Sequence, residues 1–237
     1  MLLLNNFNLI KENSNFIGSK SYNLSYLKNK GFNIANGYII PSFSFNDNKE
    51  INDIEEIINL NENKLYAIRS SAIGEDGKEN SFAGIFQSEL FIEKKDILNS
   101  IYRIKDSFYS NKAKIYLKLK NTTIKPCILI QEMIESEISA IIFIKDNKIT
   151  MNIKKGYCDG IASGKEDSIE LNFDLKNILL QEKIIKSKLN FDKNIFIEDL
   201  NIIINNLLSI YENNLDIEIT LSNDKWYILQ TRKLNNF

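Results

Sequence analysis

Two tight turns decide much of what this chain can become. "SAIIFIKD" (139–146) runs through an Asp-Asn pair at 146–147 into "KITMNIKKG" (148–156), and "DIEITLSNDKWYILQTR" (216–232) folds back on itself around Asp224. Tight turns join antiparallel neighbours, because parallel strands need a crossover of a dozen residues or more. Further strand signals lie at 37–41, 64–71, 85–92 and 127–134. Between them the apolar spacing changes to the helical period. A helix is expected at 21–30, stopped by Gly31; Ile51, Ile54, Ile57 and Ile58 share one helical face; one or two helices cover 95–119; and Leu200, Ile203, Ile204, Leu207, Leu208 and Tyr211 mark an amphipathic helix. Mixed strands and helices with repeated hairpins predict an α+β fold rather than a doubly wound parallel sheet. Of the two prolines, Pro41 and Pro126, the second opens a strand and is read as a lobe boundary.

The 237 residues suffice for one large domain or two tightly joined lobes. A net charge of −1 excludes the basic field of a nucleic-acid binder. No apolar run reaches the roughly 18 residues of a membrane span, and the opening "MLLLNNFNLI" is too short and Asn-rich for a signal peptide. Cys127 and Cys158 lack metal-ligand spacing and read as reduced thiols of a cytoplasmic protein. The sequence contains no histidine, which excludes a histidine base, a histidine metal ligand, a Ser-His-Asp triad and a phosphohistidine within these residues.

With the closing turn centred on Asp224, Glu218 faces Gln230, Asp216 faces Arg232, Ile219 faces Leu229 and Leu221 faces Tyr227. Side chains alternate across a strand, so Asp216, Glu218, Gln230 and Arg232 share one face and the apolar residues the other. A carboxylate and an amide oxygen suit a hard cation such as Mg²⁺, and an arginine beside them suits a phosphate. The same pattern also describes an exposed face carrying an Asp216–Arg232 ion pair.

Upstream, "RSSAIGEDGKENSFAG" places Arg69 at a strand end before a loop of small residues, a setting in which backbone N–H groups approach phosphates. "FIGSKSYNL" places Lys20 near a helix N-terminus, where a cation and the helix dipole both favour an anion. Each stretch alone is equally a solvated surface. No P-loop and no GxGxxG fingerprint is present.

Taken together, these stretches resemble the ATP-binding domain of the pyruvate phosphate dikinase and phosphoenolpyruvate synthase family. "GSKSYNLSYLKNKGFNIANGYII" is similar to the family's opening GGK–ANL–L–G–G segment. "AIRSSAIGEDGKENSFAGIFQS" is similar to its RSS–ED–SFAG signature, and "ILIQEMIESEISAIIF" to its Q-x-M-V–SE–SG hinge. "GYCDGIASGK" resembles its G-x-G-E–SG turn and "DIEIT…WYILQTR" its DIEW…ILQTR terminus. Five ordered segments span residues 16 to 232. The chain departs from the pattern at Ser19, Cys158 and Asp159, and its segments 42–65 and 165–215 are short for the family.

The resemblance implies a two-lobed ATP-grasp fold whose antiparallel sheets enclose the nucleotide, with lobes at 1–130 and 131–237. It implies that Lys20 and Arg69 contact the triphosphate and that Gly84 lies in a loop over the phosphates, with Ser88 the hydroxyl shortly after. Gln131 falls at the adenine-side hinge. Glu218 and Gln230 become the Mg²⁺-facing pair, and Arg232 a phosphate clamp. ATP and Mg²⁺ are the implied ligands. Lys20, Arg69 and Arg232 are the implied catalytic residues of an ATP-dependent phosphotransferase. Its phosphoryl group passes to a histidine on a swivelling domain and then, through an acceptor domain, to a small molecule such as pyruvate or an amide. Both domains are expected elsewhere in a longer protein or on a separate chain. Two alternatives remain open: a direct small-molecule kinase without a phosphohistidine, and a non-catalytic nucleotide-sensing module.

Overall fold

The computed structural model describes residues 1–42, 44, 63–75, 85–157, 168–174, 179–185, 193–211 and 214–233. The chain divides into two compact units, Met1–Met133 and Ile134–Phe237. The expected helix bearing Ile51, Ile54, Ile57 and Ile58 lies outside the described residues. So do Gly84, most of the 72–84 loop, and most of "GYCDGIASGK".

The first unit contains β1 (Leu2–Leu3), α1 (Phe7–Glu12), α2 (Ser19–Asn29), β2 (Gly37–Ile40), β3 (Leu65–Ser70) and β4 (Ser88–Glu93). Two helices follow, α3 (Ile97–Ser107) and α4 (Asn111–Leu119), and then β5 (Ile128–Glu132). The strands form one antiparallel sheet in the order β1-β2-β5-β3-β4. One sheet face presents Ile40, Tyr66, Ile68, Ile128 and Ile130. It shares a buried cluster with Ile97, Ile101, Ile104 and Phe108, the apolar stripe of α3 at helical spacing. Phe86 closes this cluster against Phe108, with ring centroids 4.8 Å apart. The expected strand 85–92 starts only at Ser88. Helix α2 ends where Gly31 takes φ +92°, a left-handed stop that glycine adopts without a Cβ penalty.

The second unit contains β6 (Ile138–Lys145), β7 (Lys148–Lys155), β8 (Ser168–Asp174), β9 (Leu179–Ile185), α5 (Lys193–Tyr211), β10 (Leu215–Ser222) and β11 (Lys225–Lys233). Its strands form a second antiparallel sheet, β11-β10-β6-β7-β8-β9. Asp146 and Asn147 turn β6 into β7 with φ of 51° and 63°, as a two-residue hairpin with positive φ at both positions requires. The apolar face takes Ile142, Ile144, Ile149, Met151, Ile153, Ile169, Leu171, Phe173, Leu215, Ile217 and Ile219, all buried. Leu200, Ile204 and Leu207 of α5 are buried as well. The fold is α+β with antiparallel sheets, as the hairpins dictate.

The closing hairpin corrects the expected register over its inner half. Asn223 and Asp224 form the turn, with φ of 48° and 57°. Ser222 then pairs with Lys225, Leu221 with Trp226, Thr220 with Tyr227 and Ile219 with Ile228. The expected pairs Leu221–Tyr227 and Ile219–Leu229 do not form. Trp226, not Tyr227, is buried beside Leu221. The register shifts between Glu218 and Ile219, where the one unmatched residue opposite is Leu229. Beyond that bulge the expected pairs return: Glu218 with Gln230 and Asp216 with Arg232.

Candidate functional site

In the first unit, the start of α2 is seated directly on the end of β3. A Cβ built on Gly18, the N-cap, would sit 1.7 Å from the Ser71 carbonyl oxygen, so only glycine permits this approach. The Ser71 hydroxyl oxygen accepts the Ser21 N–H at 3.1 Å and the Ser21 hydroxyl at 2.9 Å, capping the helix from another segment. The Ser71 N–H donates to the Cys127 carbonyl at 2.9 Å and ties the same point to β5. Cys127 is fully buried there, and burial pushes its thiol up to about 12.

This seat fixes Lys20. Its ammonium donates to Glu75 Oε1 at 2.6 Å and to the Ser70 carbonyl at 3.2 Å. Glu75 Oε2 accepts the Ala72 N–H at 3.0 Å. The Lys20 and Glu75 side chains are 17% and 6% exposed, so this pair is held largely away from water. Glu75 is absent from the expected site residues, although it is the glutamate of the quoted RSS–ED motif. Arg69 lies opposite Ser88 on β4 and Leu129 on β5. Gln131 is two residues further along β5, so Arg69, Ser88 and Gln131 share one sheet face. Arg69 Nε and Gln131 Nε2 are both buried without a hydrogen-bond partner among the described residues. A buried donor left unmade costs free energy, so both are suited to an added acceptor. Gly84 lies outside the described residues.

A cavity of about 210 Å³ in this unit involves the other face of the sheet. Its lining includes Tyr38, Tyr66 and Glu132, which alternate with Gly37, Ala67 and Gln131. Burial, and then the Glu132 carboxylate, raise both tyrosines above their ordinary value.

In the second unit, Asp216, Glu218, Gln230 and Arg232 lie on one face of β10 and β11, all half-buried. Arg232 donates to Asp216 Oδ2 at 2.9 Å. Burial is the main influence on Asp216 and raises its carboxyl above the ordinary aspartate value; Arg232 pulls it back and Glu218 pushes it further up. The face continues across β6, where Phe143 lies opposite Asp216 and Ile141 opposite Glu218. On β7 and β8, Thr150 donates to Asn172 at 2.8 Å. At the turn end, Thr220 donates to Ser136 Oγ at 2.6 Å, and Ser136 donates to the Gly156 carbonyl at 2.6 Å. The four residues thus sit on a sheet face that carries hydroxyls at its turn end and on β7, with Phe143 and Ile141 directly beside them, backed by an apolar core.

Among the described residues, no group of three or more His, Cys, Asp and Glu forms a metal cage. Magnesium is usually held by one or two carboxylates together with substrate phosphates. The Glu218 and Gln230 oxygens therefore fit Mg²⁺ arriving with a nucleotide. Among the described residues, no helix is long and apolar enough to cross a membrane.

Comparison with known proteins identifies a family and a fold. Residues 48–175, more than half of the chain, match the family model for the pyruvate phosphate dikinase AMP/ATP-binding domain. An uncharacterized phosphotransferase of Bacillus subtilis, YvkC, is 26% identical over 194 residues, covering 67% of this chain and 23% of that protein. A rifampicin phosphotransferase of Bacillus cereus is 33% identical over 135 residues, covering 52% of this chain and 15% of that protein. The chain thus spans less than a quarter of the length of these relatives. Among solved structures, a dinucleotide-forming acetyl-coenzyme A synthetase from Ca. Korarchaeum cryptofilum aligns with a TM-score of 0.57 at 11% identity. That alignment covers 98% of this chain and all of that one, and shows the shared fold. On the family match, the chain belongs to the pyruvate phosphate dikinase AMP/ATP-binding domain family, and its fold is α+β with two antiparallel sheets.

Proposed function

We propose that the chain is the ATP-binding, phosphoryl-donating module of a histidine-dependent phosphotransferase. The observation that carries this reading is the closing hairpin, where Glu218 pairs with Gln230 and Asp216 with Arg232 on one half-buried face. Lys20 and Arg69 of the first unit are the further residues assigned to the triphosphate, with Gln131 on the adenine side. Gly84 and Ser88 are assigned to the phosphate-covering loop and its following hydroxyl.

Phosphoryl transfer asks a protein chiefly for positioning and charge neutralisation. Glu218 and Gln230 would hold Mg²⁺, which when bound would offset part of the charge of the phosphates. The Arg232 guanidinium would pair with phosphate oxygens through its planar fork, oriented by Asp216. Arg69 Nε would gain the acceptor it lacks, and Lys20 would add a fixed N–H donor. Donors aimed at the developing charge are each worth about 10²–10³ in rate. The sequence holds no histidine, so the phosphoryl-accepting histidine belongs to residues outside these 237. The reaction expected is of dikinase or synthase type: ATP yields AMP and phosphate, and the β-phosphoryl reaches a small-molecule acceptor by way of that histidine. The protein would act in the cytoplasm.

The test is transfer of label. With β-labelled ATP, Mg²⁺ and a histidine-bearing swivel domain encoded in the same genome, acid-labile label is expected on that domain. Bound ATP without label on the histidine would point to a nucleotide-sensing module. Turnover by the isolated chain with an acceptor alone would point to a direct kinase.

A further inference from the structure

We propose that Glu75 is a positioning residue for Lys20, holding its ammonium so that one N–H stays directed at the nucleotide. The inference rests on the reading of Lys20 as a phosphate ligand. A lysine ammonium has three donors on a flexible four-carbon stem. Here two of the three are taken, by Glu75 Oε1 at 2.6 Å and by the Ser70 carbonyl at 3.2 Å. Among the described residues the third has no acceptor. Glu75 is fixed in turn, because its second oxygen accepts the Ala72 N–H at 3.0 Å, and its side chain is only 6% exposed. The lysine stem is anchored at its other end by the α2 seat, where Gly18 meets the Ser71 carbonyl and Ser21 meets the Ser71 hydroxyl. Both ends of a normally mobile side chain are therefore fixed. The entropy of ordering Lys20 is lost on folding and not on binding.

Glu75 could instead serve only to neutralise a half-buried lysine. That role and the positioning role differ in what happens when Lys20 is gone. The experiment is a double-mutant cycle read by MgATP titration calorimetry on the full chain, with wild type, Glu75→Gln, Lys20→Met and the combined variant. Glutamine offers one acceptor where two are used, so it cannot satisfy Ala72 and Lys20 together. The expected result is MgATP binding weakened at least tenfold in Glu75→Gln and in Lys20→Met, with Glu75→Gln adding less than a twofold loss in the Lys20→Met background. Adenosine, which has no phosphate, is expected to bind wild type and Glu75→Gln equally. Two results would overturn the inference: unchanged MgATP affinity in Glu75→Gln, or an equal loss whether or not Lys20 is present. If Glu75→Gln does not fold, Glu75→Asp carries the same test, since a side chain one methylene shorter cannot span both partners. Absence of MgATP binding by the wild type would refute the proposed function itself, before any variant is compared.

Discussion

Gly18→Ala tests whether the seating of α2 on β3 is as tight as the structure shows. The added methyl carbon would lie 1.7 Å from the Ser71 carbonyl oxygen and 2.3 Å from its carbonyl carbon. Ordinary contact needs well over 3 Å, so the helix start or the Ser70–Ser71 backbone must move by more than 1 Å. Neither neighbour is the free end of a side chain. Overpacking of this kind costs about 1–3 kcal/mol, and a backbone obstacle puts it at the upper end. Displacement also breaks the Ser21 N–H to Ser71 bond, worth about 1 kcal/mol. A loss of about 3–4 kcal/mol is expected in urea unfolding, or about 6–16 °C in melting temperature for a chain of this size. Gly31→Ala supplies the contrast. Nothing lies within 4 Å of a Cβ there, but φ is +92°, so the cost is conformational, about 1–2 kcal/mol. A Gly18→Ala variant within about 0.5 kcal/mol of wild type would refute the close approach of α2 to Ser71.

Further outcomes are expected elsewhere. Burial raises the Asp216 carboxyl above its ordinary 3.8, so the folded state binds protons more tightly than the unfolded one and stability falls as pH rises through that window. Asp216→Asn should remove this fall, so that its stability relative to wild type rises as pH increases above the ordinary aspartate value; parallel pH profiles would contradict it. Cys127 is fully buried and its thiol is pushed up to about 12, so in a Cys158→Ser background it should react with a thiol reagent at pH 8 only on unfolding. Labelling of the native protein within minutes would refute that burial. Arg69→Ala should weaken MgATP binding about tenfold or more, since its buried Nε has no acceptor among the described residues. Unchanged affinity would remove Arg69 from the site.

Sequence and structure agree most closely where one local rule decides the outcome. Asp146-Asn147 specifies a two-residue turn, and β6 and β7 follow from it. At the closing hairpin the turn chemistry is equally clear but lies one half-step from Asp224, on Asn223-Asp224 together. The bulge that restores the outer register has no signal in the alternation, because Leu229 reads as one more apolar residue. Glu218, Gln230, Asp216 and Arg232 still share a face, since the bulge cancels the shift before it reaches them. β8 carries a strand signal in its alternation: Ile169, Leu171 and Phe173 are buried and Glu170 and Asn172 are half-buried, a period of two. Glu75 could not be placed from sequence, because its partner Lys20 is 55 residues away and only the seating of α2 brings them together.

The most direct test of the account is calorimetric titration of the purified chain with ATP, with and without Mg²⁺, for wild type and for a variant carrying both Glu218→Ala and Arg232→Ala. The wild type should bind ATP with an affinity that depends on Mg²⁺, and the double variant should lose that dependence along with most of the affinity. A folded wild type with no measurable affinity for MgATP would contradict the account. A double variant that binds MgATP as the wild type does would remove the closing hairpin from the nucleotide site.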